Sequence, residues 1–288
     1  MNVDIIVTTY KRTGLLLQAL KSVADQSYQF WKCWIVEDGE SKETYEAVRP
    51  FLKDGRFFYL PGRHAGFPAV PRNRGIKQGK APYIALLDDD DIWLTRKLEH
   101  QMTFLKNNPA CVLLGCNGYR WKGTGGFNKA PLYFKRNNLL GEISYSKFLN
   151  QNCLILSSVI LRRDAVDKAG LFNEDPILPP GEDYELWLRV GALGEIWNLD
   201  KPLVVYRETP SFHYKKNLTR YENYRAAANI YMSALKGIEG IPSPLSYREN
   251  IHLAAGCMRE RDFYLAGPSF LGRFRHEMQF KIRQILNI

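Results

Sequence analysis

The chain is poor in cysteine and has no long hydrophobic run. Cys33, Cys111, Cys116, Cys153 and Cys257 are odd in number, lack any Cys-x-x-Cys spacing and sit mostly in apolar surroundings. That pattern argues against a disulfide framework and for buried free thiols in a reducing compartment. The longest apolar stretch, Cys153 to Leu161, is interrupted by Ser157 and Ser158. It falls far short of the roughly 20 residues a membrane-spanning helix needs. The first residues lack a basic flank and a cleavage site and carry Asp4 inside the apolar run, so they read as a strand and not as a signal peptide. No internal repeat is evident. Acidic residues are also in deficit: 30 Asp+Glu face 40 Lys+Arg, giving +10 and a pI near 9.3. Such a balance predicts an anionic partner, which is a phosphate-bearing substrate, a nucleic acid or an acidic membrane surface.

What is present is ordinary globular material. At 45% hydrophobic and 24% charged over 288 residues, the chain is long enough for one large domain with an appendage. Val3 to Thr8 is a β-branched apolar run, and Leu15, Leu16, Leu20 and Val23 then recur at helical spacing. The alternation repeats with strands expected at Trp31 to Val36 and Phe57 to Leu60 and helices at Lys42 to Leu52 and Pro71 to Gln78. A strand at Tyr83 to Leu87 follows, and further buried strands are expected at Cys111 to Asn117 and Leu154 to Leu161. The Gly- and Lys-rich stretch Lys122 to Asn137 reads as a mobile loop. Alternating strands and helices predict a parallel sheet whose ligands sit beyond the carboxyl ends of its strands. After about Arg207 the pattern becomes helical and basic.

The sharpest chemical feature is Asp88-Asp89-Asp90-Asp91, four carboxylates closing an apolar strand. Their mutual repulsion is relieved most simply by a divalent cation, and hard oxygen ligands suit Mg2+ or Mn2+. The same run also reads as a solvated acidic turn capping the next helix. Glu182-Asp183 heads an amphipathic segment containing Leu186, Trp187 and Val190. A carboxylate held at a helix start is expected to keep a low pKa and to be available as a general base, or simply to cap the helix. Asp38, after the second strand, offers an acceptor-only side chain suited to the imide N–H of a pyrimidine. Arg63, Arg72 and Arg74 offer charge for a diphosphate, or are ordinary surface arginines.

Seven segments in register resemble the family 2 glycosyltransferases, inverting enzymes of the GT-A (nucleotide-diphospho-sugar transferase) fold. They are Thr8-Thr9-Tyr10-Lys11-Arg12, Glu37-Asp38-Gly39-Glu40, Pro71-Arg72-Asn73-Arg74-Gly75, Leu87 to Asp91, Ser157 to Arg163, Gly170-Leu171-Phe172-Asn173-Glu174 and Glu182 to Arg189. The resemblance covers roughly residues 1–210. It implies an α/β Rossmann-like mixed sheet flanked by helices, with a nucleotide-sugar half (1–100), an acceptor half (101–210) and a helical basic C-terminal extension (211–288). It implies that Thr8, Thr9, Tyr10, Arg12, Asp38, Arg63, Arg72, Asp88 and Asp89 hold the sugar nucleotide. Asp90, with Asp88, would take Mn2+ or Mg2+, and Asp183 would be the catalytic base. Asn152, Glu182 and Trp187 would line the acceptor side. Thr8 and Lys11 stand where the family has Pro and Asn, and Glu40 replaces a Ser. The family's Tyr-Arg-x-His appears as Tyr206-Arg207-Glu208-Thr209, with His213 arriving four residues late as a further metal ligand.

The implied reaction moves a sugar from a nucleotide-diphosphate sugar, by default a UDP-sugar, to a glycan or lipid-linked glycan in polysaccharide or lipopolysaccharide assembly. Six of the ten excess positive charges lie in residues 211–288. Leu271, Phe274, Met278, Ile282 and Ile285 form a stripe flanked by arginines and lysines. That stripe fits peripheral contact with an anionic membrane, and equally an amphipathic helix packed on the core. The expected place is the cytoplasm, at the inner face of the cytoplasmic membrane. A sugar nucleotidyltransferase and a non-enzymatic basic protein binding nucleic acid or another anion are the rival classes. No recognised nucleic-acid motif accompanies the charge, so no nucleic-acid partner is expected.

Overall fold

In the computed structural model, residues 1–135, 139–150, 152–175 and 181–208 are described. The first half winds regularly. Strand β1 (Val3–Thr9), helix α1 (Thr13–Ala24), β2 (Trp31–Glu37), α2 (Lys42–Leu52), β3 (Phe57–Leu60), α3 (Ala69–Gln78) and β4 (Tyr83–Asp88) follow one another. β1 lies between β2 and β4, and all four strands run parallel. Their apolar residues, among them Ile5, Val7, Ile35, Ile84 and Leu86, are buried because helices cover both faces of such a sheet. Ser41 caps α2 by accepting the Thr44 N–H at 3.2 Å.

The second half is mixed. It comprises β5 (Ile92–Trp93), α4 (Lys97–Asn107), β6 (Cys111–Trp121), β7 (Gly141–Ile143), α5 (Tyr145–Asn150), β8 (Ile160–Arg162), α6 (Arg163–Ala169), α7 (Glu182–Gly191) and β9 (Glu195–Arg207). One sheet of nine strands runs β3-β2-β1-β4-β8-β6-β9-β5, with β7 also on β9. β8 is antiparallel to both β4 and β6, while β9 runs parallel to β6. The mixed α/β sheet is therefore as expected, and all four cysteines among the described residues are free and buried.

Several expectations change. The strand expected from Leu154 to Leu161 is reduced to Ile160–Arg162, because Leu156–Ser158 forms a 3-10 turn. There the Ser158 hydroxyl donates to the Ile155 carbonyl (2.7 Å) and the Ser157 carbonyl accepts the Trp93 indole N–H (2.7 Å). β5 and β9 were not anticipated. In the stretch expected as a mobile loop, Leu132 forms a bridge to Tyr119 of β6 and Phe127–Lys129 a 3-10 turn. The extension 211–288, with His213, Cys257 and the apolar stripe, lies outside the described residues. Among the described residues no helix is long and apolar enough to cross a membrane.

Candidate functional site

The parallel strands end together: Thr9 pairs with Glu37 and Thr8 with Asp88, so the β1, β2 and β4 tips form one rim. Thr9 closes β1, and its hydroxyl donates to Asp89 Oδ2 at 2.7 Å. Arg12, just beyond, donates to Asp89 Oδ1 (3.2 Å) and Asp90 Oδ2 (2.9 Å). Asp89 thus turns toward the β1 loop, where one Arg12 nitrogen holds it together with Asp90. Asp88, Asp90 and Asp91 instead bring carboxylate oxygens within 4.8 Å of one another.

Asp91, read from the sequence only as part of the acidic run and given no ligand role of its own, completes this trio. It is buried, accepts the Arg207 backbone N–H at 2.9 Å, and is pushed well above the usual carboxylate range by burial and by the charges of Asp88 and Asp90. Burial also raises Asp88, with Arg72 acting against the shift, and lifts Asp89 to about 7. Three converging carboxylates, with Asp88 and Asp91 raised in pKa, are a donor set short of positive charge, and a hard divalent cation fits it. The signal for Asp91 lay in its neighbours: Ile92 and Trp93 form β5 against Val205 and Val204, which brings Arg207 to the loop.

Joined to the acid loop through Arg72 stands α7. Gly181 starts it at φ +142°, a conformation that favours glycine. Arg72 of α3 bridges the two walls, donating to Asp88 at 2.9 Å and to Glu182 at 2.7 Å. Asp183 sits beside this bridge. Contrary to the low pKa expected at a helix start, burial and the neighbouring Glu182 raise Asp183 to about 7, Arg72 opposing them. Desolvation outweighs the helix terminus here. Glu182, expected on the acceptor side, is buried and engaged with Arg72. Trp187, also expected there, is 0% exposed and packs edge-on to Phe172 in the core, so it cannot touch an acceptor. An amphipathic helix spends its indole on the core. Asn152 is half-buried and accepts the Leu154 N–H at 3.1 Å.

At the far end of the rim, Asp38 is buried and accepts the Ala65 and Gly66 N–H groups at 2.7 and 3.0 Å. His64 Nδ1 lies 2.9 Å from Asp38 Oδ2, and its ring stacks on Tyr10 at 4.2 Å. Thr8 is half-buried inside the sheet, and Arg63 is exposed on the loop. Arg74 donates to the Glu37 carbonyl at 2.9 Å, its guanidinium lying where a Cβ at Gly62 would fall. Only glycine at 62 leaves that space.

A parallel sheet tip carrying an acid loop, joined through an antiparallel strand to a second half that supplies an acid-bearing helix, defines the GT-A class of sugar-nucleotide transferases. The S. aureus TarS fragment 1-349 described in complex with UDP-GlcNAc superposes with a TM-score of 0.72 at 18% identity, covering 92% of this chain and 74% of that one. The mannosyltransferase PcManGT from Pyrobaculum calidifontis, in complex with GDP-Man and Mn2+, gives 0.59 at 15% identity over 98% and 80%. Residues 4–170 match the family described as Glycosyl transferase family 2, and the chain belongs to it. WfaP of Escherichia coli, a UDP-Glc:alpha-D-GlcNAc-diphosphoundecaprenol beta-1,3-glucosyltransferase, is 28% identical over 195 residues, 67% of this chain and 71% of that protein. An uncharacterized glycosyltransferase of Rickettsia bellii is 28% identical over 203 residues, 70% of this chain. The chain spans only 28% of that protein's length, and 32% of its counterpart's in Rickettsia felis.

Proposed function

We propose that this chain transfers a sugar from a UDP-sugar to a lipid-linked glycan with inversion at the anomeric carbon. The observation that carries the reading is the Arg72 bridge, which joins Asp88 of the acid trio to Glu182, the neighbour of Asp183. The trio would hold Mn2+ or Mg2+. When bound, that cation supplies positive charge to offset the charge gathering on the departing diphosphate. Asp183 takes the proton of the acceptor hydroxyl as its oxygen bonds to the anomeric carbon, while the bond from that carbon to the diphosphate oxygen breaks. One displacement inverts the centre without a covalent intermediate. Thr8, Tyr10, Asp38 and Arg63 are assigned to the nucleotide because they share the rim with the acid loop. Thr9 and Arg12 serve by orienting Asp89.

The acceptor class rests on the E. coli relatives WfaP and WfgD, whose names give a diphosphoundecaprenol-linked GlcNAc acceptor. For such a lipid acceptor we assign the chain to the cytoplasmic membrane's inner face, with the basic sequence of residues 211–288 as its contact. Asp183→Asn tests the mechanism. Turnover is expected to fall by about 10²-fold or more while donor affinity changes little, the usual scale for a lost general base. Undiminished turnover would remove Asp183 from the role.

A further inference from the structure

Only Met1, Phe30, Tyr45 and Tyr133 are large apolar side chains left exposed among the described residues, and of these Tyr133, 37% exposed, packs on Tyr206 at the end of β9 that reaches the acid loop. Its position is fixed by the backbone. The Tyr133 N–H donates to the Gly118 carbonyl and the Arg120 N–H to the Pro131 carbonyl, both at 2.8 Å, laying this segment along the outer end of β6. The ring meets Tyr206 edge-on, 5.1 Å between centroids at 78°, and Phe134 at 4.9 Å and 69°. Tyr206 directly precedes Arg207, whose N–H holds Asp91, whose side chain donates to the Asp90 carbonyl at 2.8 Å, and whose guanidinium lies 4.6 Å over the Trp121 ring. A braced, exposed ring therefore stands next to the acid loop.

We propose that Tyr133, held edge-on by Tyr206, is the stacking face for a pyranose ring of the acceptor. This rests on the transferase reading above. One face of a pyranose presents C–H groups that suit the negative face of an aromatic ring, and tyrosine offers that area with few rotamers to freeze. The Tyr133 hydroxyl is held protonated by partial burial, with the charges of Asp183 and Asp91 adding to the shift and Arg120 opposing it, so it is available as a donor for a sugar hydroxyl. The donor sugar hangs from the diphosphate side. The ring that must bring a hydroxyl to Asp183 is the acceptor's, and it crosses Tyr133 to do so.

The test compares wild type, Tyr133→Phe and Tyr133→Ala with UDP-glucose as donor and a short-chain GlcNAc-diphospho-lipid as acceptor. Saturation-transfer NMR on alkyl glucoside, galactoside, rhamnoside and N-acetylglucosaminide reads binding without turnover. Tyr133→Ala should raise the acceptor KM at least tenfold, move the donor KM less than twofold, and abolish transfer to the C–H protons of the glycoside that wild type binds. Tyr133→Phe should retain most of the binding, which separates stacking from misfolding. Turnover with an acceptor KM untouched by Tyr133→Ala, a matching rise in donor KM, or no Tyr133-dependent binding of any glycoside overturns the platform. Glycoside binding that needs Tyr133 without turnover on any sugar nucleotide keeps the platform and defeats the transferase reading.

Discussion

Buried aspartates stand at both ends of the same sheet, and they are treated in opposite ways. At the amino end, Asp4 of β1 is paired with Arg163 at 2.9 Å and accepts the Ala81 N–H (2.6 Å) and the Trp34 indole N–H (3.1 Å). Its one charge meets one guanidinium and two further donors, as a buried carboxylate requires. At the carboxyl end, Asp88, Asp90 and Asp91 crowd together, and Arg12 and Arg72 reach two of them from the sides. The first arrangement ties α6 to the sheet. The second crowds repelling carboxylates at the place proposed for the cation.

Breaking that contrast should separate stability from activity. The largest effect is expected for Asp90→Ala, which should cut metal-dependent turnover by about 10³-fold or more, since transition-state charge stabilisation is the largest single catalytic contribution. Melting of the metal-free protein should be unchanged or higher, because Asp90 raises the pKa of both Asp88 and Asp91. A large loss of stability would show that the trio is structural. Asp4→Ala should do the reverse. Removing one partner of a buried pair costs about 3 kcal/mol, readable as a lower denaturation midpoint, with metal affinity of the folded protein intact.

A smaller effect concerns Lys97, fully buried behind the acid loop. Its ammonium lies 4.0 Å over the Trp93 ring without a hydrogen-bond partner. Burial lowers its pKa from 10.5 to about 8. The unfolded chain therefore binds the proton more readily between these values, so stability should rise as pH climbs from about 8 toward 10.5 and be lowest below that window. Lys97→Met should remove this slope and stabilise the neutral protein by about 1 kcal/mol, the relief of a buried charge being partly offset by the lost ring contact. An unchanged pH slope in chemical denaturation would place the charge elsewhere.

The first half was legible because each strand and helix there is set by local periodicity. Helix Lys42–Leu52 and strand Phe57–Leu60 have the bounds their apolar spacing predicts. The second half depends on partners far along the chain. β5 is two residues long and exists only because β9 pairs with it, and β9 runs through Asp200-Lys201-Pro202, which reads as a turn. The acid loop was visible as four carboxylates closing an apolar strand, and Asp183 as an acid heading an amphipathic segment. What periodicity could not show was that Asp89 faces Thr9 while Asp91 joins Asp88 and Asp90, because the Arg207 N–H that turns Asp91 lies 116 residues away. Nor could it show that Trp187 is core, because an indole on an amphipathic helix has the same spacing in either setting.

The most direct test is consumption of UDP-, TDP- and GDP-sugars by wild type and Asp90→Ala, with and without Mn2+. Wild type should consume one of these sugar nucleotides only when Mn2+ is present, and Asp90→Ala should not consume it. Consumption that ignores the ion, or that survives in Asp90→Ala, would contradict the assignment of the acid loop. Consumption of no sugar nucleotide by wild type under any condition would contradict the transferase reading itself.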